Sequence, residues 1–349
     1  MKATTISTEQ FLDGAKAEEL FFYEKKFNFS YSSINKLLYC PEIFYKEYVL
    51  GDREIKDETY LTEGRLIHCL LLEPDKFEQQ FIVMTGKMPS ENTKIVVDRV
   101  YSHHIELRAT ESHKGDTLAD YQSAVIDVLL DMNLHQSLKT DDQRFAKIYT
   151  PDSAIYWDFL NKSQGKTIVD AQMYEKVLAT IEKIKADDRI SKLLRLKHSS
   201  EWWSTAEVFN EIPVEMTLKK YPFGLKGIID NVVVDPIESK IMINDFKTSS
   251  KSLADFPETV KFYRYDIQAA IYNLLIVNKY ADLIKQGYKV EFRFVVIDKH
   301  QQIYPFLVTE ATMKEWLKDL QETLKICDYH YTNKDYTLPF KFKKEDVTL

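Results

Sequence analysis

The chain has 349 residues, of which 44% are hydrophobic and 29% charged, as is ordinary for a globular protein of one large or two modest domains. Its formal net charge of −7 argues against a protein that coats nucleic acid, which would be basic overall. The same charge does not exclude an enzyme that binds nucleic acid in a local basic groove.

Two features of the sequence bear on location. No run approaches the roughly 18 apolar residues of a membrane span, and residues 1–16 lack the apolar core of a signal peptide. The three cysteines, Cys40, Cys69 and Cys327, are too far apart for a disulfide framework or a C-x-x-C metal site. We therefore expect a protein of the reducing cytoplasm with no membrane partner.

The first part of the chain is predicted to be helical. Residues 1–27 read as a loosely ordered lead or a peripheral helix. Ser30 is a cap signal for a helix that Pro41 interrupts. A second helix is predicted from about residue 60 to residue 72, and it carries His68.

The rest of the chain is predicted to change from helices to strands. In chain order we predict an irregular polar stretch at 83–115, helices within 116–162, an amphipathic helix capped by Asp170, strands from about 201 to 297, a helix at about 265–280 that interrupts them, a strand at 301–308 and a helix at 310–328. These elements predict one domain over 28–335, with a lead at 1–27, a helical insertion at about 85–198, a strand-rich core at about 201–310 and a tail at 336–349.

Asp230, Asp245 and Lys247 lie on two consecutive predicted strands that an acidic, proline-containing turn connects. Side chains alternate along a strand, so we expect Asp230 to share a face with Ile228 and Val232, and Asp245 to share one with Lys247. If the strands pair as a hairpin, all three polar groups point into one cleft, where they can hold a divalent metal and activate water. Charged residues at strand ends also occur by chance, and this alternative stays open.

Two neighbouring segments offer further candidates. Gln268 and Tyr272 share one face of the predicted helix at about 265–280, which either is an ordinary amphipathic helix or overhangs the cleft and positions a phosphate. Glu207, Glu211 and Glu215 precede the hairpin, and one of them could complete a metal shell. We favour Glu211, although exposed strand carboxylates are the ordinary alternative.

Taken together, five segments resemble the PD-(D/E)XK nucleases, and in particular the RecE-type (exodeoxyribonuclease VIII type) exonucleases of phages and prophages, which are related to RecB and Cas4 nucleases. The segments are Ser30–Tyr48, Glu63–His68 with the following Leu72-Glu73-Pro74, Gly227–Asp230, Asp245–Thr248 and Gln268–Tyr272. The resemblance covers about half of the chain.

The resemblance implies an α/β fold with a restriction-endonuclease-like core, in which helices flank a central mixed β-sheet and an additional helical layer is present. It also implies phosphodiester hydrolysis with Mg²⁺ or Mn²⁺. We therefore expect a DNA exonuclease of phage-type recombination or DNA processing, in the cytoplasm of a bacterial or phage-infected cell. The implied partners are linear double- or single-stranded DNA, a homo-oligomer such as the rings of some relatives, and a recombination partner such as a single-strand annealing protein.

By the same resemblance, His68, Asp230 and Asp245 would be metal ligands, together with the carbonyl oxygen of Phe246. Lys247 would orient or activate the attacking water. These roles rest on the match between this sequence and the family motifs.

The resemblance further places Gln268 and Tyr272 in a helical motif beside the site. The family glutamate that precedes the first aspartate has no unambiguous match, so Glu211 stays a candidate. Some relatives bind an iron–sulfur cluster with one cysteine before the core and three after it. Here Cys40 stands early and only Cys327 follows the core, so we predict no cluster.

The leading interpretation is a metal-dependent DNA exonuclease, and two alternatives remain. One is a Cas4-like or RNA-directed nuclease of the same fold. The other is a catalytically inactive protein that binds nucleic acid, against which the intact set of Asp230, Asp245 and Lys247 argues.

Overall fold

A computed structural model of the chain describes residues 8–53, 59–108, 117–163, 165–196 and 205–344. The chain divides into two compact units. The first, which we call the sheet unit, comprises Met1–Asp57 and Ile184–Leu349, and the second, the helical unit, comprises Glu58–Lys183. Among the described helices, none is long and apolar enough to cross a bilayer.

The strands of the described chain are, in order, β1 (Asn28–Phe29), β2 (Phe81–Met84), β3 (Thr167–Asp170), β4 (Glu207–Thr217), β5 (Gly224–Asp235), β6 (Lys240–Thr248), β7 (Lys289–Ile297) and β8 (Ile303–Val308). The α-helices are α1 (Thr8–Glu24), α2 (Tyr31–Tyr39), α3 (Pro41–Phe44), α4 (Thr59–Leu72), α5 (Phe77–Gln80), α6 (Glu91–Arg108), α7 (Gln122–Asp131), α8 (Asp141–Ile148), α9 (Pro151–Ser163), α10 (Ala171–Ala186), α11 (Asp188–Leu194), α12 (Phe256–Tyr263), α13 (Tyr265–Lys279), α14 (Ala281–Lys285), α15 (Glu310–Asn333) and α16 (Lys341–Lys344).

Within its described residues, the sheet unit is built on a mixed sheet of six strands. The pairs β4–β5, β5–β6 and β7–β8 are antiparallel, and the pair β6–β7 is parallel. The short β1 lies parallel to the start of β5. Helix α13 packs against β4, β5 and β7, and α11 packs against β5. The predicted α/β fold, a restriction-endonuclease-like mixed sheet with flanking helices, is confirmed.

The turn between β5 and β6 is fixed by its own side chains. Asp235 accepts hydrogen bonds from the backbone N–H groups of Ile237 and Glu238, at 2.9 and 3.1 Å. Ser239 adopts a left-handed backbone with φ of 50°. Local bonds of this kind close a turn and set the register of the hairpin. The two strands predicted to carry the aspartates therefore pair directly.

The start of the chain packs into the core of the sheet unit. Phe29 is fully buried, and its ring lies 4.8 Å from that of Phe223 and 5.7 Å from that of Phe44. Within the region predicted as a lead, α1 carries Phe22, which is 7% exposed and contacts Tyr331 of α15. These contacts anchor α1, β1 and α3 in the core of the sheet unit.

The helical unit has its own core around Trp157, whose ring lies 5.4 Å from that of Tyr101. It also contains β2 and β3, a parallel pair that the sequence did not predict. The prediction that 83–115 is irregular was wrong for α6. Val96, Val97 and Val100 have modest helix propensity, but their burial on one side of α6 outweighs it.

Several predicted boundaries are confirmed. α2 ends at Tyr39, and Pro41 opens α3. Asp170 accepts a hydrogen bond from the backbone N–H of Met173 at 2.7 Å, as a cap of α10 does. The last long helix extends to Asn333 and not to residue 328.

Candidate active site

Asp230 and Asp245 lie side by side on the face of the sheet that α13 covers. The ladder between β5 and β6 begins at the pair of Asn231 and Asn244, and each aspartate is the residue directly before or after one of these asparagines. Asp230 is 8% exposed and Asp245 is fully buried. Asp230 Oδ2 accepts a hydrogen bond from the backbone N–H of Phe246 at 2.6 Å. Two carboxylates are thus held close together, away from bulk water.

Lys247 brings the opposite charge to this pair. Its Nζ forms an ion pair with Asp245 Oδ2, and it donates to the carbonyl oxygen of Phe246 at 3.4 Å. Burial by itself lowers the pKa of Lys247, but the carboxylates of Asp245 and Asp230 outweigh burial, so the pKa is raised. The lysine is therefore held as an ammonium group beside Asp245.

Glu211 of β4 lies opposite Asp230, because the ladder pairs its neighbour Asn210 with Asn231. The carboxylate oxygens of Glu211 and Asp230 lie within 4.8 Å of one another. Glu211 has a φ of 46°, which is uncommon for a residue other than glycine. Such strained backbone is typical of functional sites.

The other two candidate glutamates lie on the surface. Glu207 and Glu215 are both exposed. Glu215 accepts a hydrogen bond from Asn28 Nδ2 at 3.1 Å. The sequence did not decide which of the three glutamates of β4 would complete the metal shell. The structure places Glu211, and neither of the other two, beside Asp230.

The predicted alternation of side chains between the two faces of β5 was wrong at one position near Asp230. Ile228, predicted to share a face with Asp230, is 56% exposed. The buried side of β5 changes at Asp230, since Ile229 and Val232 both belong to the core. Glu211, with its φ of 46°, lies on the neighbouring strand at the same level, between the pairs Asn210–Asn231 and Ile212–Ile229.

Gln268 and Tyr272 of α13 are 8% and 7% exposed, and Gln268 Nε2 donates to the Tyr272 hydroxyl at 3.1 Å. Burial raises the pKa of Tyr272 well above its usual value, and the charges of Asp245 and Asp230 raise it further. The hydroxyl therefore keeps its proton. Gln268 Oε1 is buried and has no hydrogen-bond partner within the described part of the chain.

Gly227 determines how closely α13 approaches β5. A Cβ atom at this position would lie 2.7 Å from Cε1 of Tyr272. The sequence motif contains Gly227 but did not predict this role. A glycine inside a strand is the signal that could have indicated it, because it often marks a close approach.

A polar ladder lies on the opposite face of the same strands. Asn231 Nδ2 donates to Asn210 Oδ1, and Asn244 Nδ2 donates to Asn231 Oδ1, both at 2.8 Å. Asn231 also donates to the carbonyl oxygen of Leu194 in α11 at 3.3 Å. These residues were not predicted, although each is adjacent in sequence to one of the three acidic residues.

Two tyrosines near Lys247 were also missed. Lys247 Nζ lies 4.9 Å from the ring centroid of Tyr265, and the Tyr31 ring lies 6.1 Å from that of Tyr265. Burial raises the pKa of Tyr31, and Tyr265 and Asp245 raise it further. His68 lies on α4 of the helical unit, and its role as a ligand stays a prediction.

Residues 157–336 match the family model of the PD-(D/E)XK nuclease superfamily. This span is more than half of the chain, and the protein belongs to that superfamily. Over 92 residues, or 25% of this chain, it is 30% identical to an ATP-dependent helicase/nuclease subunit from two strains of Desulfitobacterium hafniense, DSM 10664 / DCB-2 and Y51. The match spans only 7% of the length of those relatives.

Two solved structures are similar to this chain over much of their length. A "Putative exonuclease" from Eubacterium rectale is 13% identical, with a TM-score of 0.45, over 99% of this chain and 96% of that one. The structure of SSO0001 is 14% identical, with a TM-score of 0.23, over 66% of this chain and 85% of that one. TM-scores below 0.5 are too low to support any inference about function.

We predict that Gly227→Ala destabilises the protein by about 1–3 kcal/mol, the usual cost of overpacking. The new Cβ would stand 2.7 Å from the ring of the buried Tyr272. Urea denaturation of the two single variants and the double variant Gly227→Ala/Tyr272→Ala measures the contact. The free energy of unfolding of the double variant should fall by less than the sum of the two single decreases. Additive decreases would show that the contact with the Tyr272 ring is not the cause.

Proposed function

We propose that this protein is a metal-dependent DNA exonuclease. The observation that carries the proposal is the cluster of Asp230, Asp245 and Lys247 on paired strands, with Glu211 beside Asp230. The order Asp245-Phe246-Lys247 fits the D-x-K element for which the superfamily is named. A cluster of this charge and burial suits phosphodiester hydrolysis better than an inactive binding surface.

The residues present fit a divalent cation. Glu211, Asp230 and Asp245 supply carboxylate oxygens and Phe246 supplies a carbonyl oxygen, which are the hard ligands that Mg²⁺ and Mn²⁺ prefer. We include His68 as a further ligand on the resemblance alone. A cation bound there would polarise the phosphate and lower the pKa of a bound water.

Lys247 would hold the attacking water or a phosphate oxygen. Its ammonium group is fixed by Asp245 and by the Phe246 carbonyl, so a negatively charged group entering the site meets a positioned cation. Positioning of this kind stabilises the charge that develops on the phosphate during cleavage.

Gln268 and Tyr272 would orient the substrate. Because Gln268 Nε2 donates to the tyrosine oxygen, the proton of the Tyr272 hydroxyl remains available for a phosphate oxygen. The buried Oε1 of Gln268 can accept a hydrogen bond from a water or a sugar hydroxyl. Gly227 leaves the space in which Tyr272 takes this position.

DNA as substrate, cleavage from ends and a role in phage-type recombination rest on the RecE-type resemblance of the motifs. The same resemblance supports a cytoplasmic homo-oligomer that works with a single-strand annealing protein. The Desulfitobacterium relatives, named as ATP-dependent helicase/nuclease components, are compatible with DNA processing, although they match only 7% of their own length.

We predict that Asp245→Asn and Lys247→Ala each lower the rate of DNA cleavage by about a hundredfold or more, because each removes a charge at the reacting phosphate. Cleavage should also stop in EDTA and return with Mg²⁺ or Mn²⁺. Lys240→Ala, at the other end of β6, is the matched control and should keep normal activity. Circular dichroism checks the fold of each variant, and full activity in EDTA would rule out the metal mechanism.

We predict that Asp230→Asn and His68→Ala each weaken Mn²⁺ binding by at least about tenfold. Isothermal calorimetry without DNA measures this affinity independently of cleavage. His103→Ala, an exposed histidine of α6, is the control. Unchanged affinity in His68→Ala would remove that residue from the ligand set and leave the carboxylates in it.

We predict that linear duplex DNA is degraded faster than the same plasmid in closed circular form, because an exonuclease needs an end. Gel electrophoresis of supercoiled plasmid beside a singly linearised sample tests this prediction. Equal rates would indicate an endonuclease with the same metal site.

A further inference from the structure

A row of aromatic rings leads outward from Lys247. Nζ of Lys247 lies 4.9 Å from the ring centroid of Tyr265. The ring of Tyr263 stacks on Tyr265 at 5.6 Å, with 23° between the planes. Phe262 then meets Tyr263 edge-on, at 4.9 Å and 86°. The row therefore connects the partly buried Lys247 to the protein surface.

The outer rings of this row are open to solvent. Phe262 is 74% exposed and Tyr263 is 45% exposed. Exposed apolar side chains are common singly, but neighbouring exposed rings that continue from the partly buried ring of Tyr265 indicate a binding surface. Their flat faces are the feature that such a surface offers to a ligand.

The rings stand on a fixed support. Helix α12 begins with the buried Phe256, whose ring lies 5.0 Å from that of Phe306. At the other end, the Tyr31 hydroxyl donates to the carbonyl oxygen of Tyr263 at 2.5 Å. Arg264, with a φ of 56°, ends α12 and leads directly into α13. The position of the rings is therefore fixed at the junction of α12 and α13, and no long loop carries them.

Positive charge lies beside the same rings. Nζ of Lys251 is 5.8 Å from the ring centroid of Phe262, and Lys261 is an exposed neighbour in α12. Aromatic faces next to cations form the combination that binds single-stranded nucleic acid, since bases stack on the rings and phosphates contact the cations.

We propose that Phe262 and Tyr263 form a stacking platform for the bases of a single strand whose phosphate is held at Lys247. The proposal rests on the proposed function, because it takes Lys247 as the position of the cleaved phosphate. Successive phosphates of one strand rise by about 3.4 Å along the axis of duplex DNA. A ring two contacts away from Lys247 is therefore within reach of the nucleotides next to that phosphate.

This arrangement has a consequence for substrate form. A base inside a duplex already has a neighbour on each face, so it cannot also stack on Phe262 or Tyr263. The platform therefore favours bases at the end of a strand, either in single-stranded DNA or at a frayed duplex end.

The test uses an oligonucleotide that carries the fluorescent base 2-aminopurine near its end, with Ca²⁺ in place of Mg²⁺. The full-length protein should quench the fluorescence by stacking. Phe262→Ala and Tyr263→Ala should lose the quenching and bind about tenfold more weakly, as is typical for the loss of one stacked base. Tyr304→Ala is the matched control, because Tyr304 is also 45% exposed and lies on β8.

An oligonucleotide with abasic sugars at the same positions separates stacking from phosphate contact. With this ligand, the wild type and both variants should bind equally, since no base is left to stack. Unchanged quenching and affinity in both variants would overturn the platform, and the rings would then be left as a surface for a protein partner.

The same samples distinguish this proposal from the proposed function. Loss of quenching in the variants, in a protein that cleaves no DNA with Mg²⁺ or Mn²⁺, would support the platform and reject the nuclease. Metal-dependent cleavage with unaltered quenching in the variants would support the nuclease and reject the platform.

Discussion

The site depends on one constraint: two like-charged carboxylates are buried close together. Asp230 and Asp245 lie on paired strands, each next to the pair of Asn231 and Asn244, and both are almost without access to water. At low dielectric their repulsion is strong, so the fold must offset it. It does so with the ammonium group of Lys247 and the backbone N–H of Phe246. A divalent cation bound at the cluster would relieve the same repulsion.

The asparagine ladder explains why the charges remain on the correct face. A slip of one residue between two strands would turn every side chain to the other side of the sheet. Here Asn231 and Asn244 are bonded to each other behind the aspartates, so a slip would break a buried polar network. Hydrogen bonds specify the register at this point, where alternation of apolar residues is weakest.

Much of the fold followed from local patterns. Cap residues, proline positions and apolar periodicity predicted α2, α10, α13 and the β5–β6 hairpin, and that hairpin brings the strands of Asp230 and Asp245 together. Features that depend on distant contacts could not be predicted. Tyr31 binds the carbonyl oxygen of Tyr263 across 232 positions of the chain, and nothing local to either residue indicates that bond. Helix α6 was missed because burial, not propensity, stabilises its valines.

The backbone of Glu211 shows how stability and chemistry compete along one strand. Glycine or asparagine would adopt a φ of 46° with less strain than glutamate does. Neither of them carries a carboxylate that could reach Asp230. A sequence chosen for stability alone would therefore replace this residue first, and in doing so would remove an acidic group from the cluster. A consensus or computational redesign of this protein should hold position 211 fixed.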